Sequence, residues 1–219
     1  MPKDSPLFEF RDVTLDIDGR RCLADFSCTA HRGEFIILKG DTGSGKTLVL
    51  ELLCGLREPT AGDVIVAGDR INDFNAVERR SLRRSMGLMP QNALLLEDRT
   101  VLDNVLLPAV VADESLNEAR ERALIALEKC GLADVAHAFP VMLSTGQRQL
   151  AMLARAVVNR PVLILADEPA AHLDTHNAQT LINLLAAFAR AGVTVVVASH
   201  QDCRPNDIEA RVVTLETAA

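Results

Sequence analysis

The sequence predicts an α/β fold in which a mostly parallel sheet flanked by helices joins an antiparallel β-layer and carries an inserted helical subdomain. Three observations lead there. Apolar runs such as "EFIILKG", "VLILAD" and "VTVVVAS" alternate with helical patterns along much of the chain, the signature of a sheet covered on both faces. Asp18-Gly19 separates two strand-like segments near the start, a hairpin signal. Between 92 and 160 no strand pattern stands out and helical spacing dominates.

Taken in order, "LFEFRDVTLDI" reads as a strand and "RRCLADFSCTA" as its hairpin partner. "EFIILKG" is a buried strand that ends in glycines, after which "LVLELLCGL" continues as a helix. "GDVIVAG" is a short strand, "AVERRSLRRS" a polar helix, and "MGLMPQ" a strand stopped by Pro90. "NEARERALIALEKCGL" is helical, with Glu118 and Arg122 at the spacing of a surface ion pair. "VLILAD" is a buried strand, "TLINLLAAFARAG" a helix closed by glycine, and "VTVVVAS" and "ARVVTLE" are the last strands. The expected division is a core with its β-layer, 1–91 and 159–219, around a helical subdomain, 92–158, all in one domain.

The 219 residues, 48% of them hydrophobic, suffice for one cored unit. A net charge of −7 gives no field that favours nucleic acid, and the absence of Trp and Tyr removes the usual base-stacking platforms. Five cysteines without a C-x-x-C pair read as reduced thiols rather than a disulfide framework. No apolar signal region opens the chain, and no run approaches a membrane-spanning length, so a soluble protein is expected.

The strongest chemical signal is "GDTGSGKT" at 40–47, which fits G-x-x-x-x-G-K-[ST] between a buried strand and a helix. Its members are Gly40, Asp41, Thr42, Gly43, Ser44, Gly45, Lys46 and Thr47. Glycines there let backbone N–H groups turn toward phosphate oxygens; Lys46 reaches the β- and γ-phosphates and the Thr47 hydroxyl ligates Mg²⁺. In this the chain resembles P-loop NTPases, and the resemblance implies a RecA-like core for the parallel sheet. "VLILADEP" places Asp167 and Glu168 at a strand's carboxyl end, where open α/β sheets bind ligands. Asp167 there suits Mg²⁺, and Glu168 suits polarisation of an attacking water. His200 after "VVVAS" and Gln91 after "MGLMP" read either as structural residues or as γ-phosphate, Mg²⁺ or water contacts.

"LSTGQRQLAMLARAVV" begins as a capped helix. Ser144 and Gln147 form a capping box, and Leu150, Leu153, Ala154 and Val157 make one apolar face. Thr145 and Gly146 leave the tip with little bulk, and an exposed helix N-terminus attracts anions.

The P-loop, Gln91, "LSTGQ" at 143–147, "ILADEP" at 164–169, "HLD" at 172–174 and "SH" at 199–200 occur in one order. That order resembles the ATP-binding subunits of ABC transporters over nearly the whole chain. "DRTVLDNV", "ARAVVNRP" and "LADEP" resemble the branch that serves cell division, lipoprotein release and macrolide-type export, the cell-division members most. The resemblance implies a cytoplasmic ATPase at the inner face of the cell membrane, which forms a head-to-tail homodimer around two ATP–Mg²⁺. It implies a permease as partner, its cytoplasmic helix received beside Gln91. Lys46, Thr47, Gln91, Asp167 and His200 would contact ATP or Mg²⁺ in cis. Ser144, Thr145, Gly146 and Gln147 would form the signature that meets the other subunit's ATP, Glu168 would be the catalytic base, and Asp174 would lie at the dimer seam.

The chain departs from the pattern in three places. Thr145 stands where the signature carries glycine. Ile17 stands where an aromatic residue stacks on adenine, a contact worth about 1–3 kcal/mol. Ala170, Ala171 and His172 replace a T-G-N run. Two further features are read as incidental: His172 and His176 are four apart but lack a third metal ligand, and Arg79, Arg80, Arg83 and Arg84 form a solvated face rather than a lipid-binding one.

Overall fold

The computed structural model describes residues 5–91 and 95–216. Five strands form the parallel sheet: β3 (Phe35–Lys39), β6 (Met86–Met89), β7 (Leu163–Asp167), β8 (Thr194–Ser199) and β9 (Ala210–Thr214), in the order β6-β7-β8-β3-β9. Each neighbouring pair runs parallel. Period-two alternation sorts the side chains. Ile37, Ile164, Ala166, Val195 and Val197 enter one apolar cluster, while Ile36, Leu38, Leu163, Leu165 and Val196 enter the other.

The second cluster is closed by α1 (Lys46–Leu53) and by the antiparallel layer of β1 (Phe8–Ile17), β2 (Arg20–Ala30), β4 (Ala61–Val66) and β5 (Asp69–Arg70), ordered β2-β1-β4-β5. Ile17 pairs with Arg20 across the Asp18-Gly19 turn. Both turn residues have positive φ, 50° and 76°, the geometry expected of a two-residue hairpin. The two-residue strand β5 was not legible in the sequence; it is held by Arg70, whose guanidinium bonds Asp63 at 2.7 Å.

On the other face lie α6 (Thr175–Arg190) and the helices α3 (Val101–Val111), α4 (Leu116–Lys129) and α5 (Thr145–Val157). Leu102, Val105, Leu127, Met152 and Leu153 are buried in the same cluster as the sheet and α6, so these helices share the core of the sheet rather than forming one of their own. The first three positions of the expected 92–158 segment lie outside the described residues. Asn104 of α3 is fully buried. Its Oδ1 accepts the Leu96 N–H at 2.6 Å, and its Nδ2 donates to the carbonyls of Leu96 and Thr100. It thereby ties residues 96–100 to α3.

Two local expectations differ. Glu118 does not reach Arg122: it turns back to cap α4 through Ser115, at 2.6 Å from the hydroxyl, and Arg122 pairs with Glu114 at 3.0 Å. The N-cap geometry satisfies an otherwise orphaned backbone N–H, which a surface ion pair does not. The arginine face of α2 (Ala76–Arg84) is only partly solvated. Arg79 turns inward to the carbonyls of Phe74 and Asn72, and Arg83 to that of Gly55.

Candidate active site

Four adjacent strands point their carboxyl ends the same way, and the sequence motifs follow those ends. The P-loop follows β3, Gln91 follows β6, Glu168 follows β7 and His200 follows β8. One cleft accordingly gathers Thr42, Gly43, Gly45, Lys46 and Thr47 with Gln91, Asp167, Glu168 and His200.

The P-loop conformation depends on two glycines for different reasons. Gly45 has φ 92° immediately before α1, and a Cβ there would lie 3.1 Å from the Cys22 carbonyl. A Cβ on Gly40 would meet the Leu215 carbonyl at 2.6 Å. The loop is therefore clasped between β2 and the segment after β9. Lys46 is buried, and its Nζ donates to the Gly40 and Asp41 carbonyls at 2.7 and 2.9 Å. The ammonium thus lies across its own loop, where it can exchange carbonyls for phosphate oxygens.

Asp167 accepts the Thr47 hydroxyl through Oδ2 at 2.8 Å, while its Oδ1 is buried with no partner among the described residues. Burial pushes its carboxyl pKa up, opposed by the Thr47 bond. A buried carboxylate oxygen without a donor, beside a hydroxyl, fits a hard cation that takes oxygen ligands. Ser44 Oγ is likewise buried and unpartnered.

Glu168 is the most constrained residue in the cleft. Its φ is 45°, in a region that non-glycine residues rarely adopt. Its N–H donates to the Ala198 carbonyl at 2.8 Å. Its Oε1 accepts the His200 backbone N–H at 3.1 Å and lies 2.8 Å from His200 Nδ1, and its Oε2 accepts the Ser199 hydroxyl at 3.2 Å. Strain of this kind concentrates where structure positions a reacting group. Ser199 and the Ala198 carbonyl are supports that the motif reading passed over, although both lie in the quoted "VVVAS" run.

Ile17, Ser144, Thr145, Gly146, Gln147 and Asp174 do not line this cleft. Ile17 packs at the edge of the apolar cluster under the β-layer. Ser144 and Gln147 form both bonds of the capping box: the Gln147 N–H donates to Ser144 Oγ at 3.2 Å, and the Ser144 N–H to Gln147 Oε1 at 3.0 Å. Thr145 is exposed and Gly146 buried. Asp174 caps α6 by accepting the Asn177 N–H at 2.9 Å, a bond that holds its carboxyl below the ordinary range. No cluster of three or more metal-ligating side chains forms around His172 or elsewhere among the described residues.

A P-loop at the head of a parallel sheet, with two carboxylates at the end of a neighbouring strand, defines a P-loop nucleoside triphosphatase. Family comparison narrows the class. A profile described as ABC transporter matches residues 23–171, and the chain belongs to that family, as one of its ATP-binding subunits. It is 41% identical over 184 residues to the cell division ATP-binding protein FtsE of Escherichia coli K12, covering 84% of this chain and 83% of that protein. It is 35% identical to the lipoprotein-releasing system ATP-binding protein LolD of Bacteroides thetaiotaomicron, covering 90% and 91%. Among solved structures, a dimeric ATP-binding cassette in a post-hydrolysis state with ADP and Pi superposes with a TM-score of 0.80 at 32% identity, over 89% of this chain and 88% of that one.

Proposed function

We propose that the protein is the ATPase of a membrane complex and works as a head-to-tail homodimer around two ATP. The observation that carries this reading is the placement of Glu168: a carboxylate with positive φ, held on both oxygens, in the cleft that Lys46 and Thr47 also line. Phosphoryl transfer needs positioned groups and charge stabilisation rather than covalent help from the protein. Lys46 and the P-loop N–H groups hold the β- and γ-phosphates. Glu168 takes the proton of the attacking water, and Ser199 and His200 keep its carboxylate aimed. Thr47, Asp167 and Gln91 would hold Mg²⁺, which when bound neutralises phosphate charge.

The signature residues Ser144, Thr145, Gly146 and Gln147 supply the second wall of the site, in trans. Support comes from their place outside the cis cleft and from the dimeric relative with ADP and Pi. Residues 92–158 act as the helical unit that presents this wall, and Asp174 sits at the seam. No helix among the described residues is long and apolar enough to cross a membrane. The family resemblance supplies the partner: a permease that holds this subunit at the inner face. The likeness to FtsE favours a cell-division role over lipoprotein release or macrolide-type export. Nucleic acid is not a partner, in keeping with the net charge of −7.

ATPase assays on the purified protein with its permease in vesicles test this. Glu168→Gln should remove turnover by two or more orders of magnitude while leaving ATP binding intact. Wild-type protein without ATP turnover under any condition would leave a nucleotide-responsive scaffold, the reading that Ile17 in place of an adenine-stacking aromatic and Thr145 in place of the signature glycine favour.

A further inference from the structure

Gly146 is the one small residue at the tip of α5 that is buried, and what buries it comes from the same chain. A Cβ at this position would lie 3.1 Å from Asn177 Cγ, 3.2 Å from its Oδ1 and 3.5 Å from its Cβ. Asn177 stands in the first turn of α6, exposed, with its amide tied to Asp174. Its Nδ2 donates to Asp174 Oδ2 at 2.6 Å while its backbone N–H donates to Asp174 Oδ1 at 2.9 Å. One carboxylate thus receives two bonds from one residue, which fixes the rotamers of both. Thr145, one position earlier, is exposed.

We infer that Asn177 is a positioning residue that clamps the α5 tip to the α6 cap within one protomer, so that Gly146 and Asp174 meet the second protomer as one surface. The inference rests on the head-to-tail reading proposed above. It gives a reason for glycine at 146 that does not involve phosphate: a methyl group there would press on the Asn177 amide, which would have to give by a few tenths of an ångström. It also explains why the signature accepts Thr at 145 and keeps Gly at 146. A lone cap made by Asp174 would have sufficed for the helix; the second bond, to Nδ2, serves the amide's orientation over Gly146.

The test uses the full chain carrying Glu168→Gln, with ATP-induced dimerisation followed by sedimentation. Asn177→Ala should weaken the ATP-bound dimer about tenfold, and Gly146→Ala should weaken it as well. The double variant should be weakened by clearly less than the product of the two single effects, because the methyl group added at position 146 then enters the space Asn177 vacated. In Asn177→Ala the affinity of the monomer for ADP and the thermal midpoint should stay as in the parent, which a merely structural role would not allow. Multiplicative effects in the double variant, or an Asn177→Ala dimer as tight as the parent's, would overturn the clamp and leave the head-to-tail reading standing. A parent that stays monomeric with ATP would overturn that reading and the clamp with it.

Discussion

Asp167 combines a buried carboxylate with an unpartnered oxygen, and burial raises its pKa. The sign of the consequence follows from linkage. A carboxyl whose folded pKa is raised binds its proton more tightly in the native state, so native stability falls as pH rises from the unfolded value toward the folded one, and the penalty is full above it. Asp167→Asn keeps an acceptor for Thr47 and removes the buried charge. It should raise the melting temperature of the nucleotide-free protein at neutral pH by about 2–4 °C per kcal/mol gained, lose that gain at acid pH, and abolish ATP hydrolysis. A lower melting temperature at pH 7 would show that the carboxylate stabilises the fold. Thr145 gives a contrasting prediction. Because its side chain is exposed, Thr145→Gly should leave turnover within about twofold, allowing for a helix-propensity cost of about 0.5 kcal/mol at this position; a tenfold rise would mean that the methyl restrains closure of the site.

At the scale of elements, the connection between the catalytic sheet and the helices depends on one side chain. Asn104 satisfies both backbone groups of Leu96 from a fully buried position. Asn104→Ala would leave the Leu96 N–H without its partner, at about 1–3 kcal/mol if that group stays dry, while the Leu96 carbonyl keeps the Arg99 N–H at 3.2 Å. The thermal midpoint should fall by several degrees, because residues 96–100 and α3 lose their tie. An unchanged midpoint would mean that water replaces the amide without cost. The strand-helix alternation, the hairpin and the α5 cap were all legible in the sequence because each follows from local periodicity or cap chemistry. What was not legible was the choice between competing partners a few residues apart. Glu118 chose Ser115 over Arg122, Arg79 turned to the carbonyls of Phe74 and Asn72, and β5 formed from two residues beside β4. In the site, distance decided instead. The P-loop and the two carboxylates announce themselves by spacing, whereas Ser199 as a support of Glu168, and Asn177 against Gly146, arise only when β7 meets β8 and α5 meets α6.

For the whole molecule, two apolar clusters separated by the parallel sheet take up four of the five cysteines: Cys28 and Cys54 on one side, Cys130 and Cys203 on the other. Burial raises all four thiols, Cys130 to about 12, and only Cys22 is partly exposed. Maleimide at neutral pH should therefore label one thiol in the native protein and five after denaturation; two or more labelled quickly in the native state would mean that a cluster opens. The same thiols make stability fall as pH rises above about 9, since the unfolded chain releases protons that the native one keeps. The central claim is larger than any of these: the cis cleft is half of a site, and a second copy of the chain completes it. Sedimentation of the Glu168→Gln protein with and without ATP tests that most directly. The account predicts a dimer with ATP, a monomer without it, and loss of the dimer when Ser144 is changed to a bulky residue. A Glu168→Gln protein that binds ATP and remains monomeric at every concentration would contradict it.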